Sequence, residues 1–238
     1  MYLNQMMKKI FAGLFLTVQA LFASYCAQAQ EKETLTKDGL TLTFASNDSS
    51  FDPKLKQRMV ETFFKVYPIL RKEYNDTAAT TINFLIDTAY KGVAATGGTD
   101  IVFSPEYFKQ QPGDIDVVTH EVMHVIQNYG GPIGRNGKEP GPGWLTEGIA
   151  DYVRYKFGVD NAGADWTLPP YESSQKYTDS YRVTARFLAW LESHGHTGIV
   201  KKLDAGIRGR TFSKNTWKAE TGKTLNELWK AYSLKPAL

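Results

Sequence analysis

The chain has 238 residues, with 28 lysines and arginines against 25 acidic side chains, and contains one cysteine, Cys26. The formal net charge of +3 is too close to neutral for a protein that holds nucleic acid or an anionic membrane through a basic surface, and one cysteine excludes an intramolecular disulfide framework. No internal repeat or low-complexity tract divides the sequence, so its length predicts one domain with a sizeable hydrophobic core.

Residues 1–29 have the pattern of a cleavable signal peptide. Two lysines precede an apolar run over residues 10–23, and a small-x-small cleavage pattern follows at residues 27–29. The apolar run is too short for a transmembrane helix. We therefore expect residues 30–238 to form a single secreted or periplasmic domain without a transmembrane segment. Because the leader carries two lysines and no acid, its removal lowers the formal net charge to about +1.

The first part of the mature sequence combines strand patterns with one long helix pattern. The helix is predicted to begin at Asp52-Pro53, because aspartate suits an N-cap and proline suits a first turn. The predicted strands are Leu40–Ala45, Thr80–Ile86 and Thr99–Ser104. An extended peptide could pair with a free edge of the third strand through backbone hydrogen bonds, and an ordinary strand within the sheet is the alternative.

Residues 114–128 predict a buried helix with one polar stripe. Six valine, methionine and isoleucine side chains cover most of its surface, whereas His120, Glu121 and His124 fall on one face, with Gln127 one turn further on. This H-E-x-x-H spacing presents two neutral imidazoles that suit zinc, beside a carboxylate that can take a proton from an attacking water. The alternative is a buried helix whose histidines only form hydrogen bonds with backbone groups.

A catalytic zinc site needs a third protein ligand and an open fourth position. The longer metzincin pattern is excluded, because Gln127 and Gly130 replace its glycine and histidine. A second predicted helix, residues 143–157, carries Glu147 and Asp151 one turn apart. We expect Glu147 to be the third ligand and Asp151 to fix the tautomer of a ligand histidine. The alternatives are an exchange of these two roles and an exposed helix with two ordinary acids.

Residues 130–143, between the two predicted metal helices, include nine glycines and prolines and therefore predict a surface loop beside the site, either a lid or a plain connector. Further helices are predicted over Thr178–Ser193, Gly198–Ile207 and Thr224–Leu234. Tyr181 is the candidate electrophile, because a phenol can donate a hydrogen bond to the oxyanion of a tetrahedral intermediate. A tyrosine packed in the core is the alternative.

Five motifs follow one another between about residue 90 and residue 232: G-V-A-A-T-G-G-T-D-I-V-F-S-P-E-Y, H-E-V-M-H-V-I-Q, W-L-T-E-G-I-A-D-Y-V-R, Y-R-V-T-A-R-F-L and L-N-E-L-W-K-A-Y. Together they resemble the basic secretory proteins of plants and their bacterial relatives, a family grouped with zincin-like metallopeptidases. The resemblance implies a zinc-dependent peptidase domain with His120 and His124 as ligands and Glu121 as the catalytic residue. Similarity to thermolysin-like enzymes adds Glu147 as the third ligand.

These observations predict an α+β domain: a small, mainly antiparallel sheet ahead of the metal helix, then a mostly helical half, with Zn²⁺ between them. The predicted function is secreted zinc-dependent hydrolysis of a peptide or protein substrate. His120, His124 and Glu147 would hold the ion, and Glu121 would move a proton from water to the leaving amine. The alternative is a zinc-stabilised extracellular binding protein without peptidase activity.

Overall fold

The computed structural model describes residues 31–130 and 141–238 of the chain. These residues contain a five-stranded sheet and eight α-helices. The strands are β1 (Glu31–Lys37), β2 (Leu40–Ser46), β3 (Thr81–Ile86), β4 (Ala94–Gly97) and β5 (Asp100–Phe103). The helices are α1 (Pro53–Tyr74), α2 (Pro105–Gln110), α3 (Val117–Gln127), α4 (Gly143–Phe157), α5 (Tyr181–Ser193), α6 (Ile199–Arg208), α7 (Thr216–Thr221) and α8 (Leu225–Leu234). The predicted signal peptide and most of the predicted 130–143 loop lie outside the described residues. Within the described ranges, no helix combines the length and the hydrophobicity needed to cross a bilayer.

The strands follow the order β1-β2-β3-β5-β4 across the sheet. The β1–β2 and β4–β5 pairs are antiparallel hairpins, whereas β2–β3 and β3–β5 are parallel pairs. The predicted α+β class is confirmed, but the sheet is mixed rather than mainly antiparallel. The reason is the long connection through α1, which returns the chain to the end of the sheet where β2 began, so that β3 runs in the same direction as β2.

Helix α1 covers the sheet and begins where the sequence predicts. The Asp52 carboxylate accepts a hydrogen bond from the Lys54 amide at 2.9 Å, and Pro53 occupies the first turn. Phe63 meets Phe84 of β3 edge-on, with ring centroids 5.7 Å apart. The buried side of α1 repeats at helical spacing through Leu55, Met59, Phe63, Val66 and Leu70. This helix also packs against α3 and so holds it beside the sheet.

Helices α3 and α4 are tied together at both ends of their contact. At the start of α3, the fully buried Asp116 accepts hydrogen bonds from the amides of Val159 and Asp160, which follow α4, at 2.8 and 2.6 Å. At the end of α3, the Gln127 amide nitrogen donates to the Thr146 carbonyl in the first turn of α4 at 2.9 Å. The two helices are therefore antiparallel neighbours whose relative position is fixed by three hydrogen bonds in addition to their apolar packing.

Helix α4 contacts α5 through Gly148. A Cβ atom at this glycine would lie 2.2 Å from Cγ2 and 2.5 Å from Cβ of Thr184 on α5. Thr184 is fully buried, and its hydroxyl donates to the Tyr177 carbonyl at 2.7 Å, so its side chain is not free to turn away. Glycine at position 148 therefore allows α4 to approach α5 closely.

Gly148→Ala should lower the free energy of unfolding by about 1–3 kcal/mol, because the added methyl group overpacks a rigid contact. Gly143→Ala is the matched control on the same helix, since a Cβ there meets no atom within 4 Å among the residues that the structure describes. Chemical denaturation of both variants measures the difference. Equal stability of the two variants would show that the contact between α4 and α5 relaxes at little cost.

Candidate metal centre and active site

Helix α3 presents the H-E-x-x-H residues to a cleft. Apolar side chains cover most of this eleven-residue helix, which explains its burial and confines the polar residues to one stripe. His120 and Glu121 are only 8% and 6% exposed, and His124, one turn later, is half-buried. The helix ends where Asn128 adopts the left-handed backbone conformation, with a φ of 41°. The whole stripe therefore lies on one rigid element.

Helix α4 brings Glu147 to the two histidines. Its Oε2 atom lies 3.3 Å from His120 Nε2 and 3.4 Å from His124 Nε2, and the two Nε2 atoms are 3.1 Å apart. Asp151, one turn further along α4, lies on the opposite side of the His120 ring, with Oδ1 2.7 Å from Nδ1. The carboxylate that faces both Nε2 atoms is therefore that of Glu147, and the carboxylate behind the ring is that of Asp151.

Both histidine rings are held through their Nδ1 atoms. His120 uses Asp151, and His124 Nδ1 lies 2.7 Å from Oε1 of Gln127. The Gln127 amide nitrogen is occupied by the Thr146 carbonyl, which turns its oxygen toward His124. Because carboxylate and amide oxygens only accept hydrogen bonds, a neutral ring carries its proton on Nδ1 and keeps its lone pair on Nε2. The sequence reasoning placed Gln127 on the polar stripe but gave it no role.

The three converging atoms suit a zinc ion. Zinc binds histidine nitrogen and carboxylate oxygen at about 2.0–2.2 Å, and tetrahedral angles at these lengths separate ligand atoms by about 3.3 Å. The separations of 3.1, 3.3 and 3.4 Å in this site are close to that value. Three lone pairs that face one another without a proton repel, and a cation removes that repulsion. The residues therefore fit Zn²⁺ as a set of three protein ligands.

The electrostatics of the site favour positive charge at the same point. Burial lowers the pKa of His120, but hydrogen bonds to Asp151 and Glu147 outweigh burial and raise the pKa to about 10. Burial acts in the opposite direction on Glu147, where hydrogen bonds with the two histidines outweigh it and hold the pKa of the carboxyl well below its ordinary value. The surroundings thus stabilise a cation between these groups and keep Glu147 ionised.

Glu121 is held by the neighbouring strand β4. The Thr96 hydroxyl donates a hydrogen bond to Glu121 Oε2 at 2.6 Å. The other carboxylate oxygen, Oε1, has no hydrogen-bond partner among the described residues and remains accessible from the cleft. One oxygen is therefore anchored while the other can meet a ligand. Sequence patterns did not indicate Thr96, because it lies far from the motif and reaches Glu121 only through the pairing of the sheet.

Tyr181 stands at the start of α5, beside the candidate metal centre. Its ring is nearly parallel to that of His120, with 18° between the planes and 6.1 Å between the centroids, and it is 54% exposed. Tyr181 therefore lines the cleft rather than packing in the core. Ser180 and Tyr181 have φ values of 69° and 43°, and such left-handed conformations cost a non-glycine residue about 1–3 kcal/mol. Burial and the negative charges of nearby carboxylates raise the pKa of the Tyr181 phenol.

A cleft of about 1360 Å³ contains all of these groups. Residues 93–98 form one of its walls, whereas the predicted third strand is β5, which lies inside the sheet between β3 and β4. The hairpin at Gly97-Gly98 adds β4 outside β5, so the free edge at the cleft belongs to β4. The prediction that Thr99–Ser104 offers a free edge was wrong for this reason, and the alternative of an ordinary strand within the sheet holds.

A buried ion pair stiffens another wall of the cleft. Arg154 on α4 pairs with Asp114, which also accepts a hydrogen bond from the Tyr107 hydroxyl. The Arg154 guanidinium lies 4.4 Å from the centre of the Trp166 ring, within the range of a cation–π contact. The two opposite charges are therefore compensated inside the protein, and this wall presents the cleft with a fixed aromatic surface.

Comparison with known families gives one match over most of the chain. A family model described as "Peptidase of plants and bacteria" matches residues 41–232, which contain all six predicted site residues. Among curated protein sequences, none matches this chain. The site residues that the sequence predicted therefore lie in the segment of the chain that this family model matches.

Solved structures similar to this chain include an aminopeptidase N family protein and a zinc metallopeptidase. An aminopeptidase N family protein from Idiomarina loihiensis is 11% identical, with a TM-score of 0.51, and the alignment covers 84% of this chain and 46% of that protein. An M1 zinc metallopeptidase from Deinococcus radiodurans is 15% identical, with a TM-score of 0.52, and the alignment covers 86% and 51%. At these identities the likeness shows the fold alone, and the chain spans about half the length of either structure. The predicted metallopeptidase-like fold is confirmed.

Proposed function

The chain belongs to a family of peptidases of plants and bacteria, and we propose that it is an exported zinc-dependent peptidase whose active site is the cleft beside α3 and α4. The observation that carries the proposal is the convergence of two histidine nitrogens and one carboxylate oxygen within 3.4 Å of one another. In this proposal His120, His124 and Glu147 hold the ion. Asp151 and Gln127 support the two histidines from behind.

The roles of the other residues follow from what they contact. A bound zinc ion supplies a Lewis acid that polarises a scissile carbonyl and makes water nucleophilic at neutral pH. Glu121 accepts the proton of that water at its accessible Oε1 and passes it to the departing amine nitrogen. Tyr181 presents its phenol to the cleft and donates a hydrogen bond to the oxyanion that forms at the carbonyl. The β4 edge binds the backbone of an extended substrate.

The test combines metal analysis with a search for cleavage. Purified residues 30–238 should contain one zinc ion per chain by mass spectrometry and should cleave peptides in a broad library. Removal of zinc should abolish the cleavage, and zinc should restore it. Stoichiometric zinc without any cleavage would overturn the peptidase proposal and favour a zinc-stabilised extracellular binding protein. Cleavage that persists without metal would overturn the assignment of the metal centre.

Asp151→Asn should weaken zinc affinity by about 10- to 100-fold while leaving the fold intact, because a neutral amide polarises the His120 ring less than a carboxylate does. Competition with a chelator of known affinity measures the change. Asp165→Asn is the control, since Asp165 lines the same cleft but makes no contact with either histidine. Equal zinc affinity of the two variants would show that Asp151 does not support zinc binding.

Removal of zinc should lower Tm by roughly 10 °C when the starting sample contains free zinc at about a thousand times its Kd. At that concentration, zinc binding stabilises the folded state by about 4 kcal/mol. The ion stabilises the fold because it links two helices: His120 and His124 lie on α3, and Glu147 lies on α4. Scanning calorimetry with and without a chelator gives the shift. In Glu147→Ala, the same chelator should leave Tm unchanged.

A further inference from the structure

We propose that Thr96 is a positioning residue for Glu121: its hydroxyl holds one carboxylate oxygen in place so that the other faces the water to be deprotonated. The inference rests on the proposed function, in which Glu121 accepts that proton. The hydrogen bond from Thr96 Oγ1 to Glu121 Oε2 is 2.6 Å long, within the range of charge-assisted bonds. Glu121 is only 6% exposed, and Thr96 is its one side-chain partner among residues 31–130 and 141–238.

The position of Thr96 is fixed by the sheet. Thr96 pairs with Ile101 of β5 in an antiparallel register, and Ile101 is buried in the core. Side chains alternate along β4, so that Ala95 and Gly97 are exposed while Thr96 turns toward α3. A residue on a paired strand holds its partner more firmly than one on a loop. The strand whose edge borders the cleft therefore also sets the direction of the Glu121 carboxylate.

The Thr96 hydroxyl has a second acceptor within reach, the backbone carbonyl of Glu121 at 3.1 Å. It has one proton to donate, and the carboxylate oxygen is both closer and charged, so the bond to the side chain is the stronger. A carboxylate deprived of this bond can rotate about its last side-chain bond, because no other protein group in the described chain holds it. Loss of the hydroxyl should therefore misorient the proton acceptor without disturbing the ion.

The kinetic test compares Thr96→Val with Thr96→Ser in zinc-loaded protein. Thr96→Val keeps the shape of the side chain and removes the donor, and it should lower kcat by about 10- to 100-fold with KM and zinc content unchanged. Thr96→Ser keeps the donor and should restore kcat to within about threefold of wild type. Thr99→Val, in the same hairpin, is the control, because no described side-chain hydrogen bond involves its hydroxyl.

A second measurement uses metal-free protein and needs no activity. Thr96→Val should lower Tm by a few degrees when Glu121 is present, because it leaves a buried carboxylate without its donor. In a Glu121→Ala background the same substitution should lower Tm by clearly less, because only the weaker bond to the backbone carbonyl of residue 121 is then lost. This double-mutant cycle separates a bond between the two side chains from simple packing of β4 on α3.

Three results would overturn the proposal while the peptidase function stands: an unchanged kcat in Thr96→Val, a rise in KM alone, or an equal fall in Tm in both backgrounds. A rise in KM alone would make Thr96 a substrate contact. Failure of Thr96→Ser to recover kcat would also count against positioning through the hydroxyl. If wild-type protein with zinc cleaves nothing, the proposed function fails and the positioning role fails with it, whatever the metal-free cycle gives.

Discussion

Glu121→Gln should lower kcat for peptide hydrolysis by at least about 100-fold and leave one zinc ion bound per chain. The substitution keeps the size of the side chain and an oxygen that can accept the Thr96 hydrogen bond, but it removes the group that takes a proton from water. Zinc should stay because Glu121 is not among the three atoms that converge on the metal position. The expected loss therefore separates proton transfer from metal binding.

The comparison for this variant is Glu172→Gln, the same change at an exposed glutamate outside the cleft lining. That control should retain wild-type kcat, KM and zinc content. Single-turnover measurements with a peptide found in the library would show whether the chemical step has slowed. If Glu121→Gln hydrolyses the peptide at the wild-type rate, Glu121 is not the general base and the H-E-x-x-H motif serves metal binding alone.

The sequence predicted the elements that have strong apolar periodicity and missed those that lack it. Helices α3 and α4 and strand β3 were predicted within three residues of their bounds, since each contributes a clear buried face. Strand β1 was missed because its E-K-E-T-L-T-K sequence is polar and its described side chains face solvent along most of their length. Strand β4 was missed because A-A-T-G has small side chains and low strand propensity. Pairing with neighbours, rather than local preference, makes both segments strands.

The candidate site likewise contains residues that the sequence could predict and residues that it could not. Residues on one helix face could be placed together from spacing alone, which is how His120, Glu121 and His124 were found. The approach of Glu147 and Asp151 needed a guess about how two helices pack. Gln127 could have been given a role, because it lies one turn beyond His124 and an amide oxygen is a suitable partner for Nδ1. No local signal pointed to Thr96 on β4, since only the order of strands brings it to the metal helix.

Glu147→Ala should reduce zinc affinity by more than about 100-fold and abolish hydrolysis, as should His120→Ala. The loss should exceed the range expected for a residue that only supports a ligand, because two remaining protein ligands hold the ion poorly. In the structure, Glu147 Oε2 lies within 3.4 Å of both Nε2 atoms, whereas Asp151 contacts only the Nδ1 side of His120. Removal of Asp151 should therefore weaken binding less than removal of Glu147.

Zinc titration of Glu147→Ala, Asp151→Ala and Asp165→Ala ranks the three acids by their contribution to zinc affinity. Asp165→Ala should bind zinc as wild type does, since this residue lines the cleft without contacting the histidines. Circular dichroism of each metal-free variant should match that of metal-free wild type, because the helices are held by apolar packing and by the bonds of Asp116 and Gln127. If Glu147→Ala keeps zinc and Asp151→Ala loses it, the two carboxylates exchange roles when the ion binds. In that arrangement His120 would bind the ion through Nδ1, the atom that faces Asp151, and its Nε2 atom would be supported by Glu147.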